Sequence, residues 1–168
     1  YRAIIHGPFY HHVNSVLFSV FGASDFAMRA VVALLGGLTP FLALGLRHRL
    51  RDLEVALLAL FLAANPILLY YSRFMRGDPL VAFFMLAALV AFVRLLDFRQ
   101  PRYLFLGVAA AALAFTAKEN AFLYPVTWIG AAVLLLDHRL FLAREREDAW
   151  TTVLKRYLLR VVYGVWRW

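Results

Sequence analysis

The chain has 168 residues, of which 64% are hydrophobic and 17% charged, and its mean hydropathy is +0.72. Soluble domains are about 45–50% apolar and about 25% charged, so this composition excludes an ordinary water-soluble globule and a disordered chain. Lys and Arg exceed Asp and Glu by eight. These basic residues lie in short clusters between long uncharged runs, which is typical of membrane proteins and argues against a nucleic-acid-binding groove. The absence of cysteine excludes disulfides and thiolate chemistry.

The first predicted element is an amphipathic helix that follows His6-Gly7-Pro8 and ends near Gly22, the expected C-cap. Its apolar residues suit a helix lying at the membrane interface. His6, His11 and His12 could form a metal or proton-transfer site, or could simply be interfacial side chains. The position of His6 before a Gly-Pro turn favours a role for His6 over the other two.

Five uncharged runs follow, and each is long enough to suggest a membrane span once flanking arginines extend to the headgroups. The runs cover residues 30–46, 55–72, 79–93, 103–117 and 120–136. They are continuous and rich in Ala and Leu, which predicts helices and not barrel strands. We therefore predict an all-α, polytopic membrane helix bundle with about five transmembrane helices. The expected divisions of this single partial domain, 1–168, are an outer loop with a juxtamembrane helix (1–24), five spans (25–137) and a cytoplasmic segment (138–168).

The arginines predict the orientation of this bundle. Nine of the 18 basic residues lie in segments 47–51, 94–102 and 139–146, which five alternating spans place on one side. The positive-inside rule assigns that side to the cytoplasm. Residues 73–78 and 118–120 then lie on the outer side. The segment from 153 to 168 could be a cytoplasmic amphipathic helix or the truncated start of another span.

The outer connection Ser72-Arg73-Phe74-Met75-Arg76-Gly77-Asp78-Pro79 combines two guanidinium groups with a carboxylate. Arg73 and Arg76 are three residues apart and are expected to share a helix face. Arginines suit bidentate recognition of phosphate, and Asp78 could bind a divalent cation. The alternative is that Asp78 caps the helix that begins at Pro79 and pairs with Arg76.

The next outer connection, Thr116-Ala117-Lys118-Glu119-Asn120, is short and lies between apolar runs. Ionisable groups near a membrane are costly, so Lys118 and Glu119 are functional candidates. The alternative is an ordinary turn at a helix end. Within the second run, Asn65-Pro66 is expected to kink the helix for structural reasons.

Three of these segments together resemble a known family. His6-Gly7-Pro8-Phe9-Tyr10 with Phe21-Gly22, Ser72-Arg73-x-x-Arg76-x-Asp78 and Thr116-Ala117-Lys118-Glu119-Asn120 are similar to motifs of polyprenyl-phosphate-dependent glycosyltransferases of the GT-C fold. These are relatives of the dolichyl-phosphate-mannose protein mannosyltransferases and of the bacterial aminoarabinose transferase. The Gly7 and Lys-Glu-Asn-Ala variants most resemble the branch described as flippase-activity-associated.

The resemblance implies a hexosyl or pentosyl transferase that uses a polyprenyl-phosphate-linked sugar and an extracytoplasmic protein, lipid or glycan acceptor. It implies phosphate or substrate binding by seven residues: Arg73, Arg76, Lys118, Glu119, Asn120, His6 and Tyr10. Asp78 is the candidate catalytic residue, and Asp78 with His6 could hold Mg, Mn or Zn. The family's catalytic carboxylate normally precedes the His-Pro segment, so we expect it upstream of Tyr1 and expect the chain to be a fragment that is inactive alone.

The expected location is the plasma membrane of a prokaryote, with the active side extracytoplasmic and protein glycosylation as one possible role. A flippase- or transporter-associated protein that handles lipid-linked sugars without catalysis is the alternative. Such a protein is expected to place charges along a path near the bilayer midplane and to contain discontinuous helices.

Overall fold

The computed structural model describes residues 7–74 and 76–145, and side chains as far as residue 135. The described residues are helical, without strands. The α-helices are α1 (Pro8–Phe21), α2 (Asp25–Leu38), α3 (Asp52–Ala64), α4 (Pro66–Tyr71), α5 (Asp78–Phe98), α6 (Pro101–Ala117) and α7 (Leu123–Glu145), with 3₁₀ segments at Thr39–Leu46 and Glu119–Phe122. This confirms the predicted all-helical bundle.

Local sequence explains several helix boundaries. Ser24 caps α2 by accepting a hydrogen bond from the Ala27 amide, at 3.2 Å. Gly22 ends α1 at a positive φ of 76°, with its amide bonded to the Phe18 carbonyl, as expected for a glycine C-cap. Arg99 ends α5 in the left-handed region, φ 49°, and the chain then turns into α6 at Pro101.

The expected kink at Asn65-Pro66 is a complete break in the helix. Asn65 adopts an extended conformation, and its side-chain oxygen accepts hydrogen bonds from the Ile67 and Leu68 amides at 3.0 and 3.1 Å. Asn65 therefore ends α3 and caps α4. Pro66 occupies the first turn of α4, where no intrahelical amide donor is needed.

Helix α5 is the centre of the unit formed by residues 1–122. It packs against α6, α2 and the 3₁₀ segment Thr39–Leu46, while α1 packs against α2 and α6. Eight residues of α5 are buried, among them Leu80 and Met85 at 0% exposure. Phe9 of α1 meets Phe84 of α5 edge to face, with ring centroids 5.4 Å apart. These contacts hold α1 against α2, α5 and α6.

The outward faces of these helices are strongly apolar. Phe26, Phe61, Phe105 and Leu96 are 72–77% exposed, an arrangement expected when lipid covers the surface. The segment Asp25–Leu46 and helix α5 are long and apolar enough to cross a membrane, and α6 and residues 119–135 form shorter apolar helices. Each of the five predicted runs coincides with helical structure. The crossing of the membrane by the other three runs stays a prediction.

The structure describes α7 as part of a second unit, which begins at Leu123. Its helical structure extends to Glu145, so the predicted cytoplasmic segment 138–168 begins inside this helix. The proposed interfacial or truncated helix at 153–168 lies outside the described residues.

Candidate functional site

Asp78, the first residue of α5, is held by two cations from different parts of the chain. Its Oδ1 lies 2.5 Å from the Lys118 Nζ, and its Oδ2 lies 2.9 Å from the Arg76 Nε. The Asp78 and Lys118 side chains are 26% and 14% exposed, whereas Arg76 is 54% exposed. The carboxylate therefore joins a half-buried ammonium group to a guanidinium group that reaches the surface.

Close backbone packing brings Asp78 and Lys118 together. Gly77 precedes α5, and a Cβ atom added there would lie 3.1 Å from the carbonyl oxygen of Ala117, the last residue of α6. Gly7 also abuts the carbonyls of Thr116 and Ala117 and has a φ of 54°, a combination that requires glycine. The starts of α1 and α5 thus converge on the end of α6.

Aromatic rings lie beside the Arg76 guanidinium. Its guanidinium lies 5.0 Å from the centroid of the Tyr71 ring, a cation–π distance. Tyr70 packs against both Tyr71 and Phe74, with centroid separations of 5.3 and 4.7 Å. The side chain that pairs with Asp78 is therefore oriented by stacking as well as by charge.

A cavity of about 370 Å³ lies beside this cluster. It is lined by Met28, Arg29, Tyr70, Phe74 and Arg76. Two guanidinium groups and two aromatic rings around one cavity suit an anionic group attached to a ring or an apolar chain. Arg29 was not identified from the sequence as a site residue. The sequence feature that could have identified Arg29 is its position as the one charged residue between Asp25 and Arg47.

The predicted common helix face for Arg73 and Arg76 is wrong. Helix α4 ends at Tyr71, and the Arg73 and Phe74 amides bond to the carbonyls of Tyr70 and Tyr71 in a turn. The helical spacing therefore does not apply. Arg73 lines a different cavity, whose walls come mainly from α2, α3 and α4.

The alternative interpretation of Asp78 fits only in part. Asp78 does pair with Arg76, but α5 has Gly77 at its N-cap position and lacks a side-chain cap. Asp78 is the first helical residue, so Pro79 follows it inside the first turn. A carboxylate at this position is favoured by the helix dipole, and its second partner, Lys118, lies 40 residues away in sequence.

The other predicted site residues lie around this cluster in different environments. Glu119 is exposed at the start of the 3₁₀ segment Glu119–Phe122, and Asn120 has a buried Oδ1 without a hydrogen-bond partner in the described part of the chain. Tyr10 is 5% exposed, and its hydroxyl donates to the Met28 carbonyl at 2.9 Å. Burial raises the pKa of Tyr10, which keeps this donor protonated. His6 lies outside the described residues.

The groups around Asp78 do not fit a divalent cation. Magnesium and calcium require several oxygen ligands, whereas each Asp78 oxygen is occupied by a cationic side chain. Among the side chains of residues 7–74 and 76–135 there is no group of three or more His, Asp or Glu suited to a metal. His11 and His12 are exposed on α1, and the His12 Nδ1 lies 2.6 Å from the Pro8 carbonyl.

Residues 5–166 match the family model described as dolichyl-phosphate-mannose-protein mannosyltransferase. No match to a curated protein or to a solved structure was found. This family consists of GT-C membrane glycosyltransferases that use lipid-linked sugar donors, which agrees with the apolar helices and with the resemblance of the three motifs. Because the match covers nearly the whole chain, the protein belongs to the dolichyl-phosphate-mannose-protein mannosyltransferase family and is an integral membrane protein.

Proposed function

We propose that this chain forms the phosphate-binding part of a glycosyltransferase that moves a sugar from a polyprenyl-phosphate carrier to an extracytoplasmic acceptor. The observation that carries the proposal is the Lys118–Asp78–Arg76 cluster beside the cavity that contains Arg29. The cluster lies at helix ends, where the headgroup of a lipid donor meets water. An acceptor can approach from the water, while the lipid tail stays beside the apolar helices.

The chemistry of the transfer favours such a cluster. Breaking a sugar–phosphate bond leaves negative charge on the departing lipid phosphate, and cations already fixed in position stabilise that charge. Arg76 and Arg29 line the cavity, so they are the proposed phosphate ligands. Lys118 is bound to Asp78 and is proposed to help fix that carboxylate in place. Asp78 is proposed as the residue that orients both cations, since its two oxygens are occupied by them.

Substitution of Asp78 tests this assignment. In the full-length protein, Asp78→Asn removes the charge that orients Arg76 and Lys118, and we expect sugar transfer from polyprenyl phosphate to fall about 100-fold or more. The matched control is Asp97→Asn, because Asp97 also pairs with two basic side chains, Arg49 and His48, but near the other end of α5. The control should retain transfer. Equal activity of both variants and the wild type would remove Asp78 from the mechanism.

Chelation tests the metal alternative. Because both Asp78 oxygens are engaged by cations, we expect transfer to be unchanged after treatment with EDTA. The measurement is the rate of sugar transfer by the full-length protein before and after dialysis against the chelator. Loss of transfer that is restored by Mg²⁺ or Mn²⁺ would show that a metal site exists.

The break between α3 and α4 is the one observation that favours the transporter alternative, because discontinuous helices are common in transporters. The residues at this break are uncharged, however. Asn65 caps α4. The ion pairs among the described residues lie at or near helix ends. The location of these charges supports a headgroup-level site and not a path through the bilayer.

A further inference from the structure

The end of the bundle opposite Asp78 carries a second group of cations, and the acids that the structure describes there, Asp97, Asp52 and Glu54, already have partners. Asp97 is bound by Arg49 through both carboxylate oxygens and by His48 at 2.6 Å. Asp52 pairs with Arg47 at 3.2 Å, and Glu54 accepts a hydrogen bond from the Arg51 amide. Any further guanidinium group at this end therefore competes for carboxylates that already have partners.

Arg94 and Arg102 are two such guanidinium groups. Both lie over the ring of the buried Tyr103, at 5.4 and 4.9 Å from its centroid. Arg94 also lies 5.9 Å from the Phe98 ring. Within the described residues, neither Arg94 nor Arg102 forms an ion pair with a carboxylate. Tyr103 thus contacts two guanidinium groups that have no carboxylate partner among the described residues, and an anion bound by both would offset their like charge.

The Arg94 side chain also has an unused donor. Its Nε is buried and has no hydrogen-bond partner in the part of the chain that the structure describes. A buried donor without a partner destabilises a fold, so an acceptor that satisfies it is favoured. A phosphate oxygen is a suitable acceptor, since guanidinium groups bind phosphate through parallel hydrogen bonds.

The surroundings favour a lipid phosphate over a free one. Phe105 and Leu106 follow Arg102 by three and four residues, so they lie below it on the same face of α6. They are 73% and 59% exposed. A headgroup held at Arg102 would therefore have exposed apolar side chains along which its acyl chains can lie.

From these contacts we propose that Arg94, Arg102 and Tyr103 bind the phosphodiester of an anionic phospholipid headgroup. This site is separate from the proposed transfer site, because α5 spans about 30 Å at 1.5 Å per residue. It has a structural role, since one lipid would join α5 to α6 where the two helices meet.

Binding of phosphatidylglycerol to the full-length protein in neutral detergent tests the proposal. We expect the wild type to bind fluorescent phosphatidylglycerol at least about tenfold more tightly than phosphatidylcholine with the same chains, and Arg94→Gln/Arg102→Gln to lose that preference. The matched control, Arg47→Gln/Arg51→Gln, removes the same charge from the same end of the bundle. This control should keep the preference for phosphatidylglycerol. An unchanged preference in the first double variant would overturn the proposal.

Two further arms keep the result decisive. If millimolar inorganic phosphate displaces phosphatidylglycerol completely from the wild type, the site takes free phosphate and the lipid assignment is wrong. If the double variant does not fold, the single variant Arg102→Gln decides, because Arg102 is exposed and its replacement should not unfold the protein. Retained lipid preference in that single variant contradicts the proposal, and a clear reduction supports it.

Discussion

Asp78 and Asp97 lie near the two ends of α5, and each carboxylate binds two basic side chains. Asp78 binds Arg76 and Lys118, while Asp97 binds Arg49 and His48. The pairs differ in burial, since Lys118 is 14% exposed and Arg49 is 51% exposed. Exposed pairs contribute about 0–1 kcal/mol, whereas removal of one member of a buried pair is more costly. The two ends of one helix therefore offer a direct comparison of the same interaction.

We expect Lys118→Met to lower the free energy of unfolding by about 1–3 kcal/mol, because Asp78 would keep only its exposed partner. Arg49→Met, the control, should lower it by less than about 1 kcal/mol. Denaturation of each variant in the same detergent measures both effects. Equal losses for the two variants would mean that burial of the Lys118–Asp78 pair does not stabilise the junction of α5 and α6.

At the scale of helices, α4 positions the turn that contains Arg73 and leads to Arg76. It is only six residues long, from Pro66 to Tyr71, and it ends where the turn that contains Arg73 begins. Short helices are marginal without capping or tertiary contacts. The Asn65 side chain supplies the N-terminal cap, so the break between α3 and α4 contributes to the geometry of the candidate site.

Asn65→Ala should therefore weaken α4 by about 1 kcal/mol, while Asn65→Asp, which keeps the accepting oxygen, should have little effect. Hydrogen exchange at the Ile67 and Leu68 amides measures the difference. We expect faster exchange at these two amides in the alanine variant alone. Unchanged protection in that variant would show that packing, and not the cap, maintains α4.

The helices were the most predictable part of the molecule. Charged residues separate the apolar runs, so the positions of α5 and α6 follow closely from composition. The break at Asn65 was underestimated because proline alone signals a kink, whereas the capping side chain decides between a kink and a new helix. The helix assumed for residues 73–76 failed for a related reason: α4 ends at Tyr71, although the spacing of the two arginines suits a helix.

At the scale of the whole molecule, the site depends on contacts that sequence reasoning cannot supply. Asp78, Arg76 and Lys118 were all predicted as site residues, and the local pair of Asp78 with Arg76 was the stated alternative, but the pair of Asp78 with Lys118 requires the packing of Gly77 against the end of α6. The same holds for Arg29, which reaches the cavity because α2 lies beside α5. Motifs identified the cations, and the packing of helices determined which of them face a common ligand.

The central claim is that Arg29 and Arg76 hold the phosphate of the lipid-linked donor. Its most direct test is the affinity of the full-length protein for a polyprenyl phosphate, measured for the wild type, for Arg29→Gln/Arg76→Gln and for the control Arg47→Gln/Arg51→Gln. We expect affinity to fall about tenfold or more in the first double variant and to stay near the wild-type value in the control. Wild-type affinity in Arg29→Gln/Arg76→Gln would contradict the claim.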